Sequence, residues 1–200
     1  MLYLATDTET GGFDSKEYDL LQAGFALYSP KFEELWSYEF GISLQKYRTC
    51  EDAMNVNKLD LNHLRMTGLI DPQLTLDYVG DGFNVEHYEA MRQLVEMRTK
   101  LRQLSNDRME IRMLCHNVIF DKPFIDLWFP WLKELLSYRT VCTISTAVLV
   151  QDAGRLKTKN LKLETLAKHF KIAHDDAHSA LCDARAAMQL YAMLVSMVRE

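Results

Sequence analysis

Four carboxylates and one histidine are the residues of this chain whose types and spacing could do chemistry. Asp7 and Glu9 stand in Asp7-Thr8-Glu9-Thr10-Gly11-Gly12-Phe13. Asp121 closes His116-Asn117-Val118-Ile119-Phe120-Asp121, and His178 and Asp183 bracket His178-Ser179-Ala180-Leu181-Cys182-Asp183. Carboxylates gathered at one point repel each other and do not ionise together unless cations neutralise them. Two divalent metals held by Asp7, Glu9, Asp121 and Asp183 would supply that neutralisation, and paired metals on carboxylates are a common device for cleaving phosphodiesters. The chemistry expected is therefore metal-dependent nucleolysis, with Mg2+ or Mn2+ as the ions.

Only tertiary structure can join segments so far apart. An apolar run over 1–6 reads as a buried strand that delivers Asp7 and Glu9, alternate residues sharing one face. Strands are expected over 20–28 and 35–44, separated by turn chemistry at Gly11-Gly12 and Ser29-Pro30. From there the pattern changes. Residues 85–104 carry helical periodicity, 111–115 and 141–143 read as short strands, and 160–170 reads as a helix with Asn160 as its N-cap. A last helix begins near His178, with Ala180, Leu181, Ala184, Met188, Tyr191 and Leu194 on one face. Strands first and strand–helix alternation afterwards indicate an α/β mixed sheet flanked by helices. Residues 71–82 read as a surface loop or insertion.

Each motif has a plainer reading as well. Asn117 suits a helix N-cap, His116 suits a satisfied structural histidine, and Phe120 could be core or face a nucleotide. Asp121 and Asp183 lie beside apolar helix positions, where an unpaired charge is costly and a cation is expected. Glu17-x-Asp19 reads as solvated loop charge, and His174-Asp175 as loop surface.

The totals bound the rest. Two hundred residues with a net charge of −5 suit one domain, 1–200, with its own core. Two divalent ions would bring that charge to about −1. Arg155, Lys157, Lys159, Lys162, Lys168 and Lys171 against Glu164 alone make a basic stripe fit to follow a phosphate backbone. Cys50, Cys115, Cys142 and Cys182 form no C-x-x-C pair and are expected to be buried thiols. No run reaches the roughly 18 apolar residues of a membrane span, and no signal peptide is read, so a cytoplasmic location is expected.

In this order and spacing the motifs resemble the DEDD exonuclease superfamily, in the subclass with a histidine in its last motif, DEDDh. The resemblance extends to Ala53-Met54-Asn55-Val56-Asn57, to Thr143, and to the leucine-rich stretch from Leu161 to Phe170. It implies an RNase H-like fold, a five-stranded mixed sheet with helices on both sides. It further implies hydrolysis of single strands from the 3′ end to nucleoside 5′-monophosphates. Carried over by position, Asp7, Glu9, Asp121 and Asp183 hold the metals and His178 is the general base. Thr10, Gly11, Phe13, Asn117 and Phe120 are the expected substrate contacts, although family members usually carry an aliphatic residue where Phe13 stands. A free-standing enzyme on single-stranded DNA is favoured over one on RNA ends or short oligoribonucleotides. A non-catalytic binding module, a homodimer and a subunit of a replication complex are the remaining alternatives.

Overall fold

The computed structural model describes residues 1–70, 85–174 and 179–199. The expected loop at 71–82 and His178 lie outside these described residues.

Along the chain the elements are β1 (Leu2–Thr10), β2 (Leu20–Tyr28), β3 (Glu34–Gly41), α1 (Glu51–Asn57), α2 (Leu61–Thr67), α3 (Val85–Asn106), β4 (Ile111–Cys115), α4 (Val118–Trp128), α5 (Leu132–Leu135), β5 (Val141–Cys142), α6 (Thr143–Asp152), α7 (Leu163–Phe170) and α8 (Ala180–Arg199). The strands form one five-stranded sheet in the order β3-β2-β1-β4-β5. β1 is antiparallel to β2, and β2 to β3, while β4 runs parallel to β1 and β5 parallel to β4. The expected mixed α/β sheet with flanking helices is what forms.

Alternation along β1 divides the core. Leu2 and Leu4 face a large cluster with Phe25, Phe40, Met113 and residues of α3, α4 and α5. Tyr3 and Ala5 face the other way, packing with Ala184, Ala187 and Met188 of α8. The outer side of α8 buries Ala186, Leu190 and Leu194 against α6 and α7. By length and composition α8 could cross a membrane, but here it lies as a filling between sheet and outer helices.

Several expected boundaries shift. β1 continues to Thr10, so Asp7 and Glu9 lie inside the strand rather than after it. This placement fixes the backbone that carries both side chains through the sheet's own hydrogen bonds. α7 begins at Leu163, with Lys162 at the N-cap, while Asn160 Oδ1 accepts from the Lys162 amide, 3.1 Å away, in a local turn. Of the four cysteines only Cys115 is buried, the others being half-buried. Asp19 is not solvated: it is 4% exposed, accepts from the Arg48 amide at 2.7 Å and pairs with the Arg48 guanidinium at 2.6 Å.

Two glycines are needed where backbones touch. A Cβ on Gly11 would lie 2.2 Å from the Arg48 carbonyl oxygen, because the chain at 48–50 closes over the end of β1. A Cβ on Gly24, which pairs with Asp7 across the sheet, would lie 2.3 Å from the Ala180 carbonyl carbon and the Leu181 nitrogen. The start of α8 thus rests on bare β2 backbone opposite Asp7. Gly24→Ala must lift that helix end, and overpacking of this kind costs about 1–3 kcal/mol. A urea titration should show the midpoint falling accordingly, and an unchanged midpoint would contradict this packing.

Candidate active site

Asp7 and Glu9 lie on the α8 side of β1 by the strand's two-residue period. Asp183, in the first turn of α8, meets them there: one ligand oxygen from each of the three lies within 4.8 Å of the others. Asp121 enters from α4, the helix that leaves the carboxyl end of β4, and is 3% exposed. Its Oδ1 accepts a hydrogen bond of 2.8 Å from Thr8 Oγ1. Three carboxylates and a fourth behind them therefore converge at the carboxyl ends of the parallel strands β1 and β4.

The electrostatics are severe. Burial, then the charges of Asp121, Asp183 and Glu9, raise the Asp7 carboxyl well above its usual range. Glu9 is pushed up to about 8 by burial and by Asp183, Glu39 and Asp121. Asp121 is pushed up to about 7 by burial, against the opposing hydrogen bond from Thr8. Two features offset part of this repulsion. Asp121 and Asp183 both sit in helix first turns, where the macrodipole is worth about 0.3–1 kcal/mol to an anion. A cluster with such proton affinity is also primed for a cation, and an all-oxygen donor set suits hard ions such as Mg2+ or Mn2+.

A set of strand residues anchors α8. Glu39 on β3 accepts from Ser179 Oγ and from the Leu181 amide, both at 2.8 Å, and its other oxygen accepts from Gln22 Nε2 at 2.7 Å. Gln22 pairs with Glu9 in the sheet, and its Oε1 accepts from the Ala180 amide at 3.4 Å. The helix end that carries Asp183 is thus capped by the sheet itself. Arg185 extends the grip by pairing with Glu34 on β3 at 2.7 Å.

The expected substrate contacts separate into two groups. Phe13 is 82% exposed and meets the Phe120 ring edge-on, with centroids 6.3 Å apart. Both line a cavity of about 240 Å³ whose walls include Glu9, Thr10, Asp52 and Val56. Thr10 is otherwise buried, donating 2.7 Å to the Gly12 carbonyl. Gly11 is buried under the 48–50 segment and does not line this cavity, and Asn117 is exposed at the α4 N-cap without a side-chain capping bond. His116 is structural: burial keeps it neutral, Nε2 donates 2.9 Å to the Leu161 carbonyl, and Nδ1 accepts 2.7 Å from the Thr143 hydroxyl. That bond holds the basic stripe, whose six cationic residues are exposed, beside the start of α4.

His174, read from sequence as loop surface, is not there. Its side chain is 9% exposed, and Nε2 lies 2.5 Å from Asp183 Oδ1. Thr8, Gln22, Gly24, Glu39 and His174 were all invisible as site residues in the sequence. A small strand glycine opposite Asp7 was the one signal available, and it requires knowing the strand register.

No family model matches the chain, and no curated protein matches it in sequence. Solved structures do. Escherichia coli exonuclease I in complex with a dT13 oligonucleotide superposes with a TM-score of 0.73 at 14% identity, covering 99% of this chain and 42% of the other. The chain has the exonuclease fold. Exonuclease I from Methylocaldum szegediense gives a TM-score of 0.70 at 15% identity, covering 97% of this chain and 40% of the other. The nuclease domain of 3′hExo, a DEDDh family member bound to rAMP, gives 0.59 at 9% identity and is itself 92% covered, with 98% of this chain aligned. The chain spans about two-fifths of the length of the exonuclease I structures it matches.

Within this exonuclease fold the carboxylate cluster makes stability depend on pH in a definite direction. Asp7, Glu9 and Asp121 have folded pKa values above their ordinary 3.8 or 4.5. The stability that each contributes is full below its ordinary value and is lost as pH rises through its folded one, which is about 7 for Asp121 and about 8 for Glu9. With EDTA present, the Tm should fall between about pH 5 and pH 8, and Mg2+ or Mn2+ should restore more of it at the higher pH. Thermal scans that show neither trend would mean that the carboxylates are not packed together.

Proposed function

We propose that this protein is a metal-dependent 3′–5′ exonuclease of the DEDDh type, acting on single-stranded DNA and releasing nucleoside 5′-monophosphates. The observation that carries the reading is the convergence of Asp7, Glu9 and Asp183, with Asp121 behind them, inside an exonuclease fold. Asp7, Glu9 and Asp183 would hold one divalent ion, and Asp7 with Asp121 a second. Bound there, the pair would acidify a water and stabilise the departing 3′-oxygen.

The chain's own residues supply the remainder. His178, just ahead of α8, accepts the proton of the attacking water. Phe13 and Phe120 form an aromatic wall beside Glu9 on which a terminal base can stack, and Thr10 and Gly12 edge the same cavity. The exposed lysines from 157 to 171 receive the backbone of the strand that leads to it. DNA is preferred over RNA as substrate because the likeness to exonuclease I with dT13 is stronger than that to 3′hExo with rAMP.

A 5′-labelled single-stranded DNA oligonucleotide should shorten from its 3′ end with Mg2+ or Mn2+ and remain intact with EDTA. Asp7→Asn should abolish the ladder, while His178→Ala should slow it by about 10²–10⁴-fold and leave metal binding in place. Full activity of Asp7→Asn would refute the site. Matched RNA degraded faster than DNA would transfer the proposal to RNA 3′ ends.

Phe13→Ala tests the stacking wall. Losing one stacked base contact costs about 1–3 kcal/mol, so KM should rise roughly 5- to 150-fold with kcat little changed. An unaltered KM would place the terminal base elsewhere.

A further inference from the structure

Asp183 belongs to two clusters, and the second has a different donor chemistry. His174, Cys182 and Asp183 each offer one ligand atom, all within 4.8 Å of one another. His174 arrives from the chain that follows α7 and is nearly buried, with Nε2 already against Asp183 Oδ1. Cys182 precedes Asp183 on the first turn of α8 and is half-buried beside it. The α8 end that presents both residues is held by Glu39 and Gln22, so the backbone under both donors is fixed while their side chains can still turn.

An imidazole, a thiolate and one carboxylate are a poor set for Mg2+ or Mn2+, which favour oxygen throughout. They suit Zn2+, which takes nitrogen, sulfur and oxygen in tetrahedral sites and with three protein ligands keeps a fourth position open. We infer that His174, Cys182 and Asp183 form a zinc site that competes with the carboxylate cluster for Asp183. Zinc bound there replaces the direct His174–Asp183 contact and draws the carboxylate toward sulfur and nitrogen. Asp7 and Glu9 then lose the third ligand of their own ion. Zinc binding is a property of these three residues alone, and its inhibitory effect rests on the nuclease reading above.

Cobalt reports on the site without any turnover. One equivalent of Co2+ added to the whole protein should give a sulfur-to-cobalt charge-transfer band in the near ultraviolet, which Zn2+ should erase and Cys182→Ser should lack. No band in the unsubstituted protein, or a band that survives in Cys182→Ser, overturns the site. In the Mg2+-dependent shortening assay, each protein is compared with its own zinc-free rate. Cys182→Ser should then need about tenfold more zinc, or beyond, for the same inhibition. Equal zinc sensitivity would place the inhibition at Asp7 and Glu9 and overturn the competition. A cobalt band in a protein with no nucleolysis keeps the zinc site and removes the nuclease reading instead.

Discussion

Like charges brought together away from water must be held together by something else, and in this molecule the whole sheet and two helix ends do the holding. Asp7 and Glu9 cannot retreat because they are strand residues, paired on one side with Gly24 and Gln22. The backbone of Asp183 cannot retreat because its helix is pinned by Glu39 and Gln22 and rests on Gly24. Asp121 is tied to Thr8. The strain appears as raised proton affinity at Asp7, Glu9 and Asp121, which is also the capacity to take up divalent cations.

The same arrangement explains why β1 is central. With β2 on one side and β4 on the other, its carboxyl end receives both α4, which follows β4, and α8, which packs on β1 and β2. A helix from each side of the sheet can then deliver one acidic residue in its first turn. Ligand sites in open α/β sheets form by the same logic, in the crevice outside the carboxyl ends of parallel strands.

Much of this was legible in the amino-acid order. β1, β2, α3, β4 and α8 follow from periodicity, since long or strongly patterned elements carry their own signal. Asp7 and Glu9 stood out by their place at the end of an apolar strand, and Asp121 and Asp183 because each sits beside apolar residues that would not tolerate it unpaired. α1, α2 and α5 were missed, being too short to show a period. Asp19 was misread because its partner, Arg48, is reached only once β2 and β3 have folded back. Glu39 and Gln22 look like ordinary exposed-face strand residues, and only the docking of α8 gives them their role. His174 was misplaced because its contact with Asp183, nine residues on, leaves no periodic signal in the sequence. What stayed hidden is what depends on tertiary contact between segments distant in sequence.

That distance has a kinetic consequence. The bonds from Glu39 to Ser179 and to Leu181 span most of the chain, so the last layer can close only after the sheet exists. Contacts of such long range are slow to form, because loop-closure entropy is spent before they give any return. A molecule with α8 undocked would retain its sheet but leave Asp7 and Glu9 without Asp183 beside them. The complete carboxylate cluster would then form in a single late step of folding and be lost on the first partial opening, so a damaged or immature copy would lack it.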